Sequence, residues 1–175
     1  MNIFQKMADI FAKYHQMIFK GIGYTMLVSI IGTIIGLVIG LLIGVFRTMP
    51  TPKNKFLRVL KKAADWILSA YVEIFRGTPM MVQAMVIFWG FALINNGVTL
   101  NVVFAGLFIV SINTGAYMAE TVRGGIESVD PGQKEAAIAI GMDHFQTMRC
   151  VILPQALRNV MPQLGNNLII NIKDT

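Results

Sequence analysis

Two long stretches of this chain carry no charge at all, Ile22 to Phe46 and Gly77 to Ala119. A hydrocarbon core about 30 Å thick is crossed by roughly 20 apolar helical residues. The first stretch suffices for one crossing. The second, joined to an amphipathic lead-in from Ala63, suffices for two with a turn between them. Overall composition agrees: 55% of residues are hydrophobic and 14% charged, with a mean hydropathy of +0.62. A soluble domain carries about 25% charged residues. The fold class expected is therefore all-α and polytopic in a membrane. The first run is too long and too far from the start to be a cleaved signal peptide. Cys150 is the sole cysteine, which excludes an intrachain disulfide, and no metal-ligand spacing is present. No catalytic residue and no metal ligand is predicted.

Residues 1–20 read as an amphipathic lead, with Ile3, Phe4, Met7, Ile10, Phe11 and Tyr14 at helical spacing. It either lies on the membrane surface or extends the first span. That span carries Gly32, Gly36, Gly40 and Gly44 at a strict four-residue repeat. One helix face is thus free of side chains, and a second backbone can approach closely. The partner is another segment of this chain or another subunit. A nucleotide site is excluded because no Gly-Lys-Ser/Thr follows. Arg47, Lys53, Lys55, Arg58, Lys61 and Lys62 then follow without an acid, and Pro50 and Pro52 end any helix. Six cations beside a span place this loop in the cytoplasm by the positive-inside rule. The three lysines of the lead, Lys6, Lys13 and Lys20, oppose that orientation but are fewer, so the N-terminus is expected outside.

The second span runs from about Ala63 to Ile94 and leaves the membrane at Asn95-Asn96-Gly97. It contains Val72-Glu73-Ile74-Phe75-Arg76-Gly77-Thr78-Pro79. Pro79 lacks an N–H and Gly77 is permissive, so a kink or break is predicted here. Glu73 and Arg76, three apart, can share a helix face and pair. They serve as a structural salt bridge or as a gate. The third span covers roughly Leu100 to Glu120. Asn113, Tyr117 and Glu120 form one polar stripe on it, facing a cavity or bonding between helices. The fourth, Gln155 to Ile172, carries a second stripe, Asn167, Asn171 and Asp174, and such a helix is expected to line a path. Amides with a nearby acid would suit a zwitterionic amino acid, whose ammonium needs acceptors and whose carboxylate needs donors.

Between the third and fourth spans lie Glu135-Ala136-Ala137, Gly141 and Val151-x-Leu153-Pro154. This string resembles the EAA loop of the membrane subunits of bacterial ATP-binding-cassette importers, E-A-A-x3-G-x9-I-x-L-P. Val151 stands where Ile is usual and keeps the β-branched shape. The Val72–Pro79 string and the run from Tyr117 to Leu157, including Arg123-Gly124-Gly125-Ile126, resemble the polar amino acid branch of that family. The resemblance covers roughly residues 20 to 175. It implies a transmembrane domain over 21–175, four transmembrane helices, and a coupling loop at about 122–154. In that family the loop is a short cytoplasmic helix docked on the ATPase, which assigns Glu135, Ala136, Ala137, Gly141, Leu153 and Pro154 to coupling. Glu135 could cap a helix or meet a cation, the alanines favour helix, and Pro154 can open the next helix.

The resemblance implies a permease subunit in the bacterial cytoplasmic membrane. Its partners would be separate ATPase subunits carrying ATP-Mg, a second permease copy or paralogue, and an extracytoplasmic solute-binding protein. This chain would bind no cofactor and no nucleic acid. Family members continue past a K-D-T-S-L string into one more helix, whereas this sequence stops at Lys173-Asp174-Thr175. Against the resemblance, four spans are expected here where the family has five, as a fragment or an early stop would give, and the alternative expectation is a non-transporting remnant that still binds the ATPase or a paralogue. A membrane enzyme would need a Ser/His, Asp/Asp or H-E-x-x-H arrangement within the spans, and both His15 and His144 lie outside them.

Overall fold

The computed structural model describes residues 3–175. Met1 and Asn2 of the lead, and the side chains of Lys6, Ala8 and Asp9, lie outside the described residues. Among the described residues every regular element is helical. α1 (Ile3–Thr48) is 46 residues long and unbroken, about 69 Å at 1.5 Å per residue. The lead is therefore helical and continuous with the first apolar run. α2 (Lys55–Gly77) starts after the proline pair, its first turn capped by the Asn54 side chain accepting from Phe56 N–H at 3.0 Å. α3 (Met80–Ile94) follows after a bend of 108°. The turn at Asn95–Gly97 puts Asn96 and Gly97 at positive φ, and the Asn101 side chain caps α4 (Val102–Glu127).

The glycine repeat of α1 finds its partner within the chain. A Cβ on Gly32 would lie 2.6 Å from Val110, one on Gly36 2.6 Å from Thr114, one on Gly40 2.3 Å from Met118, and one on Gly44 2.7 Å from Val122. Each step of four along α1 is matched by a step of four along α4, so the two helices run parallel. Small residues let the backbones meet and gain dispersion contacts that lipid does not supply. Met118, Ala116 and Ala119 are fully buried as a result. Gly115 works from the other side, because a Cβ there would meet Ile39 at 2.9 Å and the Tyr71 hydroxyl at 3.0 Å.

Two parallel crossings need a return between them, and the bent pair α2–α3 supplies it. Tyr71 Oη donates to the Ile112 carbonyl at 2.6 Å, fixing α2 against α4. α7 (Leu153–Asp174) runs antiparallel to both, with Ala156 and Val160 against Gly125 and Asn171 against Thr114 and Thr33. Among the described residues, two helices are long and apolar enough to cross a membrane, or three with the bent pair taken as one. α7 falls short of that apolarity because Arg158, Asn166, Asn167, Asn171 and Lys173 interrupt it. α4 also continues past the expected end of the third span, so 122–127 is helix and the connecting loop begins only after Glu127.

Substituting Gly40→Ala presses a methyl into Met118 Cβ and the Ala119 backbone N at 2.7 Å, neither of which can swing away. The expected loss is about 2–3 kcal/mol, read as a lower unfolding midpoint in detergent. Gly90→Ala, with nothing within 4 Å of the new carbon, is expected to be neutral or stabilising by up to about 1 kcal/mol.

Candidate functional site

The break at Thr78–Pro79 frees carbonyls at the end of α2, and side-chain amides take them up. Gln83 Nε2 donates to Phe75 O at 2.9 Å, Thr78 O at 2.9 Å and Thr78 Oγ1 at 2.7 Å. Asn113 Nδ2 donates to Gln83 Oε1 at 2.9 Å and to Phe75 O at 3.2 Å. Non-helical backbone at such depth persists only when protein satisfies it, and this amide pair does so from α3 and α4. Gln83 escaped the sequence reading, although it is the only amide or charged side chain between Met80 and Ile94.

Beside the break lies a cavity of about 520 Å³ lined by Asn113, Tyr117, Asn167, Asn171, Lys173 and Asp174, with Thr78 to Met81 at its edge. Five of the six pathway candidates thus share one space. Their amide nitrogens are already committed. Asn171 Nδ2 donates to Thr33 Oγ1 at 2.8 Å and Thr114 Oγ1 at 2.9 Å, and Asn167 Nδ2 to Gln163 O at 3.0 Å. The free charges at the cavity are Lys173 and Asp174, side by side and exposed. These amides are therefore engaged within the bundle and do not point free donors into the cavity.

Glu120, the sixth candidate, lies elsewhere. It accepts from Arg47 Nη1 at 3.3 Å and forms a tight ion pair with Arg123. Arg123 Nη1 also holds Glu127 at 2.7 Å, and Arg47 Nη2 donates to Ser69 Oγ at 3.1 Å. This charge knot ties the end of α1 to the middle of α2 and to the last two turns of α4. The predicted pairing of Glu73 with Arg76 is not formed, and among the described residues Glu73 makes no ion pair. Arg76 instead places its guanidinium over the Tyr117 ring, 5.6 Å from the centroid, where the ring quadrupole attracts the cation. The Tyr117 hydroxyl in turn donates to Arg76 O at 3.4 Å. Gly77 and Pro79 flank the break itself.

The remaining candidates build an elbow. α5 (Pro131–Ala139) carries Glu135, Ala136 and Ala137. Its N-cap is Asp130, accepting from Gly132 N–H at 2.7 Å, so Glu135 does not cap and stands exposed. Ala137 is the buried residue of α5. The helix ends in a Schellman turn: Gly141 N–H donates to Ile138 O at 2.9 Å and Met142 N–H to Ala137 O at 3.0 Å. Gly141 sits at φ +85°, a conformation that disfavours any Cβ. Asp143 and Gln146 form a reciprocal capping box on α6 (His144–Thr147), and a π-helical turn, Met148–Ile152, joins it to α7. Leu153 and Pro154 open α7, and His144 is exposed. Ile138, Ile140 and Phe145 are 56%, 75% and 69% exposed around this elbow.

Residues 36–175 match the family of binding-protein-dependent transport system inner membrane components. The chain belongs to that family. It is 41% identical over 112 residues to the glutamine transport system permease protein GlnP of Escherichia coli K12, covering 64% of this chain and 51% of that protein. It is 40% identical over 156 residues to the probable amino-acid ABC transporter permease protein YckA of Bacillus subtilis, covering 89% and 64%. A crystal structure of an amino acid ABC transporter with histidines superposes with a TM-score of 0.78 at 35% identity, covering 99% of this chain and 74% of that one. The chain spans about half the length of the glutamine permease.

Replacing Gln83→Leu leaves the Thr78 carbonyl without its amide donor and removes one acceptor from Asn113. The expected cost is about 1–3 kcal/mol. Hydrogen exchange over residues 75–84 should accelerate in this variant while exchange along the α1–α4 contact stays unchanged.

Proposed function

We propose that this chain is a membrane subunit of an ATP-driven amino acid importer. It forms one half of the translocation pathway and engages a separate ATPase through the α5–α6 elbow. The observation that carries this reading is the elbow itself. Ile138, Ile140 and Phe145 are apolar and exposed around a turn held rigid by a Schellman motif and a capping box. Exposed apolar clusters of this kind mark protein contacts. A docking element must also be stiff to transmit displacement; α5 packs against α6 and the π-helical turn and reaches α7 through the Gln155–Gln133 contact at 3.4 Å.

The parallel arrangement of α1 and α4 supports a topology. Their C-terminal ends share one side, as the Arg47–Glu120 ion pair requires. The six-cation loop follows α1 on that side and the elbow follows α4, so the positive-inside rule puts both in the cytoplasm and the N-terminus outside. α7 then serves as the fourth crossing, shielded by the rest of the pathway rather than by lipid. The other half of the pathway is a second copy or a paralogue, ATP-Mg is bound by the ATPase, and a solute-binding protein delivers cargo outside.

An amino acid cargo is supported by the Lys173–Asp174 pair at the polar cavity and by the relatives' names. Lys173 offers donors to a carboxylate and Asp174 acceptors to an ammonium. Asp174→Ala is expected to lower ATP-driven uptake of a zwitterionic amino acid into proteoliposomes about tenfold, the equivalent of about 1.4 kcal/mol. Uptake at the unchanged rate contradicts the assignment.

Coupling is tested by native mass spectrometry of the complex purified from its own membranes. Gly141→Val places a β-branched residue at φ +85°, and Ile138→Asp charges the exposed face. Each is expected to release the ATPase pair while the permease remains folded by its unfolding midpoint. Retention of the ATPases by both variants contradicts the elbow as their docking site.

A further inference from the structure

The glycines of α1 fall into two groups. Gly32, Gly36, Gly40 and Gly44 are packed against α4, whereas Gly21 and Gly23 have nothing within 4 Å of a built Cβ. A glycine inside a helix costs about 1 kcal/mol relative to alanine, and no packing offsets it at these two positions. They stand where the lead meets the uncharged run that begins at Ile22. Paired glycines are also where long helices bend sharply.

The lead has a marked sidedness. At 100° per residue, Met7, Ile10, Phe11, Tyr14, Met17 and Ile18 fall within one arc, while Asp9, Lys13, Gln16 and Lys20 fall on the opposite side, with Phe19 the one large apolar residue outside the arc. Every described side chain from Ile3 to Tyr24 is exposed, including Phe11 at 55%, Met7 at 62% and Met17 at 73%. Held straight, residues 3–21 project about 28 Å beyond a membrane already crossed by the apolar run. A contiguous exposed apolar stripe of that length marks a membrane or protein contact. On the polar side Lys13 and Lys20 outnumber Asp9, and that surplus of positive charge matches the negative charge of lipid headgroups.

We propose that the lead bends at Gly21–Gly23 and lies in the interface of an anionic lipid bilayer. Its apolar arc sinks about 5–10 Å below the headgroups, and Lys13 and Lys20 meet their phosphates. The inference rests on α1 crossing the membrane and not on transport.

Spin labels on the full chain test it, attached at Phe11→Cys or Gln16→Cys in a Cys150→Ser background. The chain is reconstituted in mixed phosphatidylcholine and phosphatidylglycerol vesicles. Position 11 is expected to be accessible to oxygen and shielded from a water-soluble nickel complex, with the order reversed at position 16. Joint replacement Gly21→Ala and Gly23→Ala should straighten the helix and expose position 11 to nickel, and vesicles of phosphatidylcholine alone should raise position 11 toward water. Nickel access at both positions in the anionic vesicles overturns the docking. Shielding of both positions from both reagents overturns it in favour of a protein partner. An unchanged contrast with the two alanines overturns the hinge, and an unchanged contrast without phosphatidylglycerol overturns the anionic preference.

Discussion

Backbone-to-backbone contact between α1 and α4 is the constraint on which the rest of this structure depends. In lipid, helices gain nothing from hiding apolar side chains, so association must come from close dispersion contacts and from hydrogen bonds. The four-residue glycine ladder supplies the first. Opposite it stand Val110, Thr114, Met118 and Val122, ordinary side chains that fill the space the glycines vacate. The contact sets the register of α4, and α4 in turn carries nearly every polar feature of the bundle.

That register places three sets of partners along one helix. At one level, Thr114 and Thr33 receive the Asn171 amide, joining α1, α4 and α7 through buried hydrogen bonds. Beside it, Asn113 reaches the broken end of α2 together with Gln83. Near the C-terminal end, Glu120 meets Arg47 of α1 and its own Arg123. Removing one member of such a set leaves the others buried and unpaired, which costs more than the bond contributed. The polar cavity and the elbow are then the two ends of one rigid frame: the cavity opens at the level of Asn113 and Tyr117, and the elbow begins where α4 ends at Glu127.

Much of this was legible from the chain alone. The uncharged runs gave the helices that cross, the basic loop and elbow fell on one side, and Gly77–Pro79 marked the break. The family resemblance was carried by Glu135 to Pro154, and the family match over residues 36–175 agrees with it. What stayed hidden were pairings between distant segments. The glycine ladder announces a close approach but not its partner, because valine, threonine and methionine are unremarkable on any apolar helix. Glu73 and Arg76 are correctly spaced for an ion pair, yet the Tyr117 ring from another helix captures the cation. Glu120 belongs by periodicity with Asn113 and Tyr117, but Arg47, far away in sequence, draws it into a charge cluster. Asp130 followed by Pro131 is a helix-start signal, an Asp cap before a proline at the first helical position, and it is Asp130 rather than Glu135 that caps α5. Gln83 was a lone amide in an apolar helix, a signal present and unused.

Disulfide trapping across the α1–α4 contact tests this account most directly. A Cβ on Gly106 would lie 3.5 Å from Val28 Cγ1 and 3.8 Å from Cγ2, placing a cysteine pair here close to the range of about 3.5–4.5 Å between Cβ atoms that a disulfide needs. The chain carrying Val28→Cys, Gly106→Cys and Cys150→Ser is oxidised mildly in native membranes and its intact mass measured. The account predicts rapid loss of two hydrogens in this variant and none when the first cysteine is moved from Val28 to the outward-facing Ile30. Failure of the 28/106 pair to oxidise, or equal oxidation of both pairs, would contradict the parallel register from which the cavity and the elbow follow.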